Sequence, residues 1–204
     1  MRNVFIVLFL GLAMMIFAQN QVNLVQGNFD FLKDQKEVNI QLKFENTTYQ
    51  AENFTETQYL ENRKNDVLAN PKKGEESWQK WYKEWERYKS SEYLKYFMNG
   101  CIESKSKIVF TNDIKAKYTL IIDAKWIYVG WSAGLVGQEG KLTADLIFVE
   151  TDNPSNIIMK LYADKILGKK RNKDFTWEYV RVAATYEDLG RKLGKEIQKS
   201  LNLR

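Results

Sequence analysis

Three aspartates, Asp123, Asp145 and Asp164, fall on the mixed face of three apolar-alternating runs. Carboxylates gathered across strands do acid–base work when their surroundings push their pKa values apart. Register points to a plainer role. If 117–129 pairs with 141–150 so that both apolar faces stay together, Lys125 lies opposite Asp145. Opposite charges facing across strands stabilise a sheet, so neither a catalytic nor a metal site is read from these residues. The chain has no histidine, which removes the commonest general base and metal ligand. Its one cysteine, Cys101, has no internal disulfide partner. No catalytic group, metal or cofactor is therefore expected.

Two other constellations suit binding. The loop 130–140, GWSAGLVGQEG, fits neither the dinucleotide-binding nor the P-loop glycine pattern, and no helix follows it. It does place Trp131, Leu135 and Val136 on a hairpin tip, and apolar residues on an exposed tip suit contact with a partner. The second is the basic loop 168–174, whose Lys169, Lys170, Arg171 and Lys173 suit an anionic surface. A third stripe, Trp78, Trp81 and Trp85 with Tyr82 and Tyr88, recurs at helical spacing and reads as core packing. Its alternative use is stacking on sugar rings or on a partner peptide.

The scaffold that positions these residues is legible as alternation. In KYTLIIDAKWIYV, 117–129, Tyr118, Leu120, Ile122, Ala124, Trp126 and Tyr128 share one face of an extended strand. Leu142, Ala144, Leu146 and Phe148 repeat the pattern, as do Ile157, Met159, Leu161 and Ala163. These runs predict an antiparallel meander over 117–164, with Ala144 opposite Ala163, Leu146 opposite Leu161 and Phe148 opposite Met159. An earlier strand is expected at 37–49, with Val38, Ile40, Leu42 and Phe44 inward, and a short one at 107–111. Residues 19–36 read only as a polar lead-in.

Helices are expected at 55–68, 75–99 and 177–202. In the second, the apolar phase slips between Tyr88 and Leu94, which predicts a break near Ser90 and Ser91, and Gly100 suits a C-terminal cap. In the last, Val182, Tyr186, Leu189, Leu193, Ile197 and Leu201 form the apolar stripe. Gly190 and Gly194 lie beside it and suggest close approach to the sheet, since each costs about 1 kcal/mol relative to alanine. The fold class expected is α+β: a mixed, mostly antiparallel sheet with helices packed on one face.

Residues 1–18 carry the anatomy of a secretory signal peptide: Arg2, an apolar run from Val4 to Phe17, then Ala18 before Gln19. The expected organisation is this leader followed by one α/β domain over 19–204. No cysteine lies near Ala18 for lipid attachment, and no later stretch reaches the roughly 20 apolar residues of a membrane helix. The formal charge of +5 is spread along the chain rather than gathered into a nucleic-acid footprint.

FEN at 44–46 after an alternating strand, AKYTLIIDAKW at 116–126 and LGRKLGKEI at 189–197 resemble the curli-secretion-lipoprotein and TolB N-terminal type of periplasmic α/β domain. ETQYLENR at 56–63, the tryptophan-rich helix, FVETDNPSNIIMK at 148–160 and the closing helix are similar to uncharacterised exported proteins of Bacteroidetes-type bacteria. The resemblance implies a periplasmic or cell-surface location. With the residues, it gives the expectation of a non-catalytic binding or assembly module whose partner is an envelope protein or the membrane boundary. The alternative is an enzyme or accessory acting on envelope polysaccharide.

Overall fold

The computed structural model describes residues 20–112, 115–133, 136–169 and 175–201. The leader 1–18, Leu135 of the hairpin tip, and Lys170, Arg171 and Lys173 of the basic loop lie outside these residues.

The alternating runs form a seven-stranded sheet with helices on one face, so the protein is α+β with a mixed, mostly antiparallel sheet. The chain enters through β1 (Gln21–Gln26), a strand inside the segment that the sequence gives only as a lead-in. β2 (Glu37–Lys43) and the two-residue β3 (Thr48–Tyr49) follow. Helices α1 (Glu56–Ala69), α2 (Glu75–Arg87) and α3 (Tyr93–Glu103) then lead to β4 (Val109–Thr111) and β5 (Tyr118–Tyr128). A two-stranded ribbon, β6 (Trp131–Ala133) and β7 (Val136–Gln138), precedes β8 (Lys141–Glu150) and β9 (Asn153–Leu167). The closing helix is α4 (Glu178–Ser200). The strand order is β1-β9-β8-β5-β2-β4, with β3 also on β5. β2 runs parallel to β5 and β4, while β5, β8, β9 and β1 are antiparallel in turn.

The β8–β9 register is the expected one: Ala144 faces Ala163, Leu146 faces Leu161 and Phe148 faces Met159. All six are buried in the core. Between β5 and β8 the apolar faces do stay together, but Asp145 lies opposite Asp123 and not Lys125. Lys125 is the extra residue of a bulge between Ala124 and Trp126. One inserted residue reverses which face each later side chain takes. The core therefore continues through Ile127 and Val129, whereas Trp126 and Tyr128 turn to the other face. A second bulge, with the extra residue on β9, lies between Ala163 and Ile166, across from Thr143. A third, near Ile158, leaves Ile157 exposed instead of in the core.

Thr55 starts α1 through a capping box: its hydroxyl accepts from the Gln58 amide, and the Gln58 side chain accepts from the Thr55 amide. The phase slip after α2 is a π segment, Tyr88–Glu92, in which Ser90 and Ser91 hydroxyls donate to the Arg87 carbonyl. The added residue brings Tyr88 and Tyr93 both inward. Gly100 does not cap the helix. It sits inside α3, where a Cβ would collide with the Glu187 carbonyl of α4. Gly190, in turn, lies against the Phe97 carbonyl. The glycines of α4 thus serve close approach to α3 and not to the sheet. α3 and α4 form the principal helix–helix contact over the sheet.

Candidate functional site

The polar end of the sheet is organised by a residue that sequence reasoning missed. Arg181 lies in the first turns of α4 with 2% of its surface exposed. Among the described residues no carboxylate receives its guanidinium. Instead Nε donates to the Val129 carbonyl (2.8 Å), Nη2 to Gly130 (3.2 Å), and Nη1 to Phe175 (3.0 Å) and Thr176 (2.5 Å). Burial pushes Arg181 below the usual arginine range, opposed by the nearby Glu178 carboxylate. The signal was one charged residue inside the apolar run 179–184; a long charged side chain is almost never fully buried unless its donors are matched.

Those four carbonyls belong to two different segments. Val129 and Gly130 root the β6–β7 ribbon, and Phe175 and Thr176 lead into α4. The foot of the ribbon is held closely as well: the Gly168 amide donates to the Gly140 carbonyl at 3.0 Å. A Cβ on Gly140 would stand 2.8 Å from the Arg181 carbonyl, and one on Gly168 2.9 Å, so both chain ends press on α4. The ribbon and the start of the basic loop therefore emerge at the same end of the sheet, and Lys169 donates its amide to Asp188 there (2.7 Å).

The turn after β3 completes the frame. The Gln50 amide donates to the Ile127 carbonyl (2.9 Å), and the Trp126 indole donates to the Gln50 carbonyl (2.7 Å). The Tyr128 hydroxyl meets the Gln138 side chain of the ribbon at 2.6 Å. The bulge at Lys125 thus turns two aromatic residues out of the core and uses them to fix the loop and the ribbon.

Between the Gln50 turn, α1, the ribbon and the N-terminus of α4 lies a cleft of about 580 Å³. Trp131 and Trp177 both line it, 46% and 45% exposed. Its floor holds Arg63, paired with Glu178 at 2.8 Å and set over the Trp81 ring at 5.2 Å. Trp177 also lines a second cleft of about 530 Å³ between α1 and α2. The Tyr59 hydroxyl and Arg63 Nε, on residues lining the first cleft, are buried without a hydrogen-bond partner among the described residues.

Of the residues read from sequence, Trp131 and Val136 (64% exposed) do lie exposed on the ribbon. Trp78, Trp81 and Trp85 are buried, and their stripe packs on Tyr59, Tyr179 and one another. Asp123 and Asp145 do come together, but Lys125 contacts Asp123 and lies 3.9 Å from Asp145, while Lys160 pairs with Asp145 at 2.9 Å. Asp164 is placed apart, with its Cα paired to Gln21 on β1. Among the described residues no group of three or more acidic or cysteine side chains is arranged to hold a metal ion.

The fold and cleft define an α+β protein with a framed, ligand-sized opening at one end of its sheet. No protein-family model, no curated protein and no solved structure matches the chain. Among the described residues no helix is long and apolar enough to cross a membrane.

Proposed function

We propose that this protein is a non-catalytic binding or assembly module of the bacterial envelope, exported through residues 1–18, and that it engages its partner with the ribbon end of the sheet. The observation that carries the reading is Arg181. Burying a guanidinium is costly, and here it serves to hold the roots of the two segments that bear Trp131 and Trp177. A rigidly rooted pair of exposed indoles suits recognition, because ordering cost is met in folding rather than in binding. Val136 adds apolar surface on the ribbon, and Lys169 a basic residue beside its foot. The buried state of Trp78, Trp81 and Trp85 speaks against polysaccharide stacking on that helix.

The double variant Trp131→Ser/Val136→Ser tests the reading, since both side chains are exposed and their loss leaves the core intact. It is expected to melt within a few degrees of the parent and to lose the partners that the parent recovers from envelope extract. Unchanged recovery places the binding surface elsewhere. Export is tested separately by intact mass in the native host, where a chain beginning at Gln19 without an acyl adduct is expected.

A further inference from the structure

We infer that the cleft between Trp131 and Trp177 takes an uncharged oligosaccharide. The inference rests on the reading of this end as a binding surface and assigns the chemistry of what is bound. Two indoles from separate elements, the ribbon and the start of α4, line one cleft, each with nearly half its surface open. Exposed indoles offer broad apolar faces with a polar N–H at the edge, which suits the flat, C–H-bearing face of a pyranose ring. Between them the cleft is polar. The side chains of Glu52, Asn62, Asp66 and Lys73 line it and form no hydrogen bond or salt bridge among the described residues. Amide and carboxylate groups free to accept, with an ammonium free to donate, match a ring bearing several hydroxyls.

Charge gives an anionic ligand no net attraction. Arg63 is paired through Nη2 with Glu178, and Arg181 is turned onto four carbonyls, so most of the guanidinium donors are taken. The lining as a whole carries three carboxylates, Glu52, Asp66 and Glu178, against three cations, Arg63, Lys73 and Arg181, a balance of zero. A phosphate or uronate would find no net positive charge to hold it and would lie beside the carboxylates of Glu52 and Asp66. The polar floor equally disfavours an apolar peptide, since each desolvated carboxylate would need a matching donor. The buried, unpartnered Tyr59 hydroxyl and Arg63 Nε add hydrogen-bonding capacity beneath the same cleft. A volume of about 580 Å³ lies within the usual range for small-molecule sites.

The test is a titration of the ¹⁵N-labelled protein with cellotriose, maltotriose, triacetylchitotriose and, as the anionic control, trigalacturonate. The indole N–H signals of Trp131 and Trp177, assigned by single substitution, are followed to 10 mM ligand. At least one neutral trisaccharide is expected to shift both signals saturably, while the anion shifts neither. Trp131→Ala and Trp177→Ala are each expected to weaken binding about tenfold or more with the melting temperature unchanged. Absence of a shift with all three neutral sugars overturns the inference, as does stronger binding of the anion. If the sugars fail while Trp131→Ser/Val136→Ser still loses its envelope partner, the binding-module reading stands and only the saccharide assignment falls.

Discussion

Arg181 Nε reaches the Val129 carbonyl at 2.8 Å from the far side of the core, joining α4 to the last core residue before the ribbon. Because the same guanidinium also binds Gly130, Phe175 and Thr176, its removal leaves several carbonyls short of a donor at once. An unsatisfied buried polar group costs about 1–3 kcal/mol. Arg181→Met is therefore expected to lose about 3 kcal/mol or more in urea unfolding. Arg181→Lys, with one compact ammonium in place of a fork, is expected to recover only part of that loss. A neutral result for Arg181→Met would remove the guanidinium as the organiser of this end.

Gly100 makes the second prediction. Alanine in a helix interior normally adds up to about 1 kcal/mol, yet here its methyl meets the Glu187 backbone carbonyl of α4. Backbone has no rotamer to yield, so the helices must separate, and overpacking of this kind costs about 1–3 kcal/mol. Chemical denaturation of Gly100→Ala is expected to show net destabilisation. A gain in stability would mean that α3 and α4 are not in close contact.

Much of this fold is legible as period. Leu142, Ala144, Leu146 and Phe148 face the core as their alternation requires, and the break at Ser90 and Ser91 follows from the phase of the apolar stripe. What alternation does not carry is the single inserted residue. Lys125 looks like any outward residue in sequence, yet as a bulge it reverses Trp126 and Tyr128 and replaces the opposed Lys125–Asp145 pair with two opposed aspartates. β1 was invisible for another reason: as an edge strand, five of its six residues are exposed, so QVNLVQ carries little inside–outside contrast. The cleft lay beyond sequence altogether. It is assembled from the Gln50 turn, α1, the ribbon and α4, which only tertiary packing brings together.

The opposed aspartates give a third prediction. Like charges directly opposite destabilise a sheet, and Asp123 and Asp145 are tolerated because Lys125 and Lys160 bracket them. Lys160→Met leaves Asp145 with only Lys125, 3.9 Å away. The four side chains are partly exposed, so the loss at pH 7 is about 1 kcal/mol. Adding Asp145→Asn is expected to restore stability, because it removes the repulsion that the lysine had offset. If the double variant is no more stable than Lys160→Met alone, the pair is not electrostatically coupled.

The last prediction concerns alkali. Tyr88 is pushed up to about 12, first by burial and then by the neighbouring Tyr96. Tyr49, Tyr59, Tyr93 and Tyr186 are raised as well, each chiefly by burial. In the unfolded chain these phenols ionise near pH 10. A group whose folded pKa is raised adds stability that is whole below its unfolded value and is lost as pH rises through the folded one. Stability is thus expected to hold to about pH 10 on this account and to fall steeply between there and pH 12, with the phenolate absorbance of the buried tyrosines rising in step with unfolding and that of exposed Tyr82 and Tyr162 outside it. Tyr93→Phe removes one such group, and its hydroxyl has no hydrogen-bond partner among the described residues to lose. The variant is expected to be close to the parent at pH 7 and to unfold at higher pH than the parent. Ionisation of all eleven tyrosines in the native state, ahead of unfolding, would show that these hydroxyls are open to solvent, and would overturn the buried placement of the tyrosine cluster beneath α4.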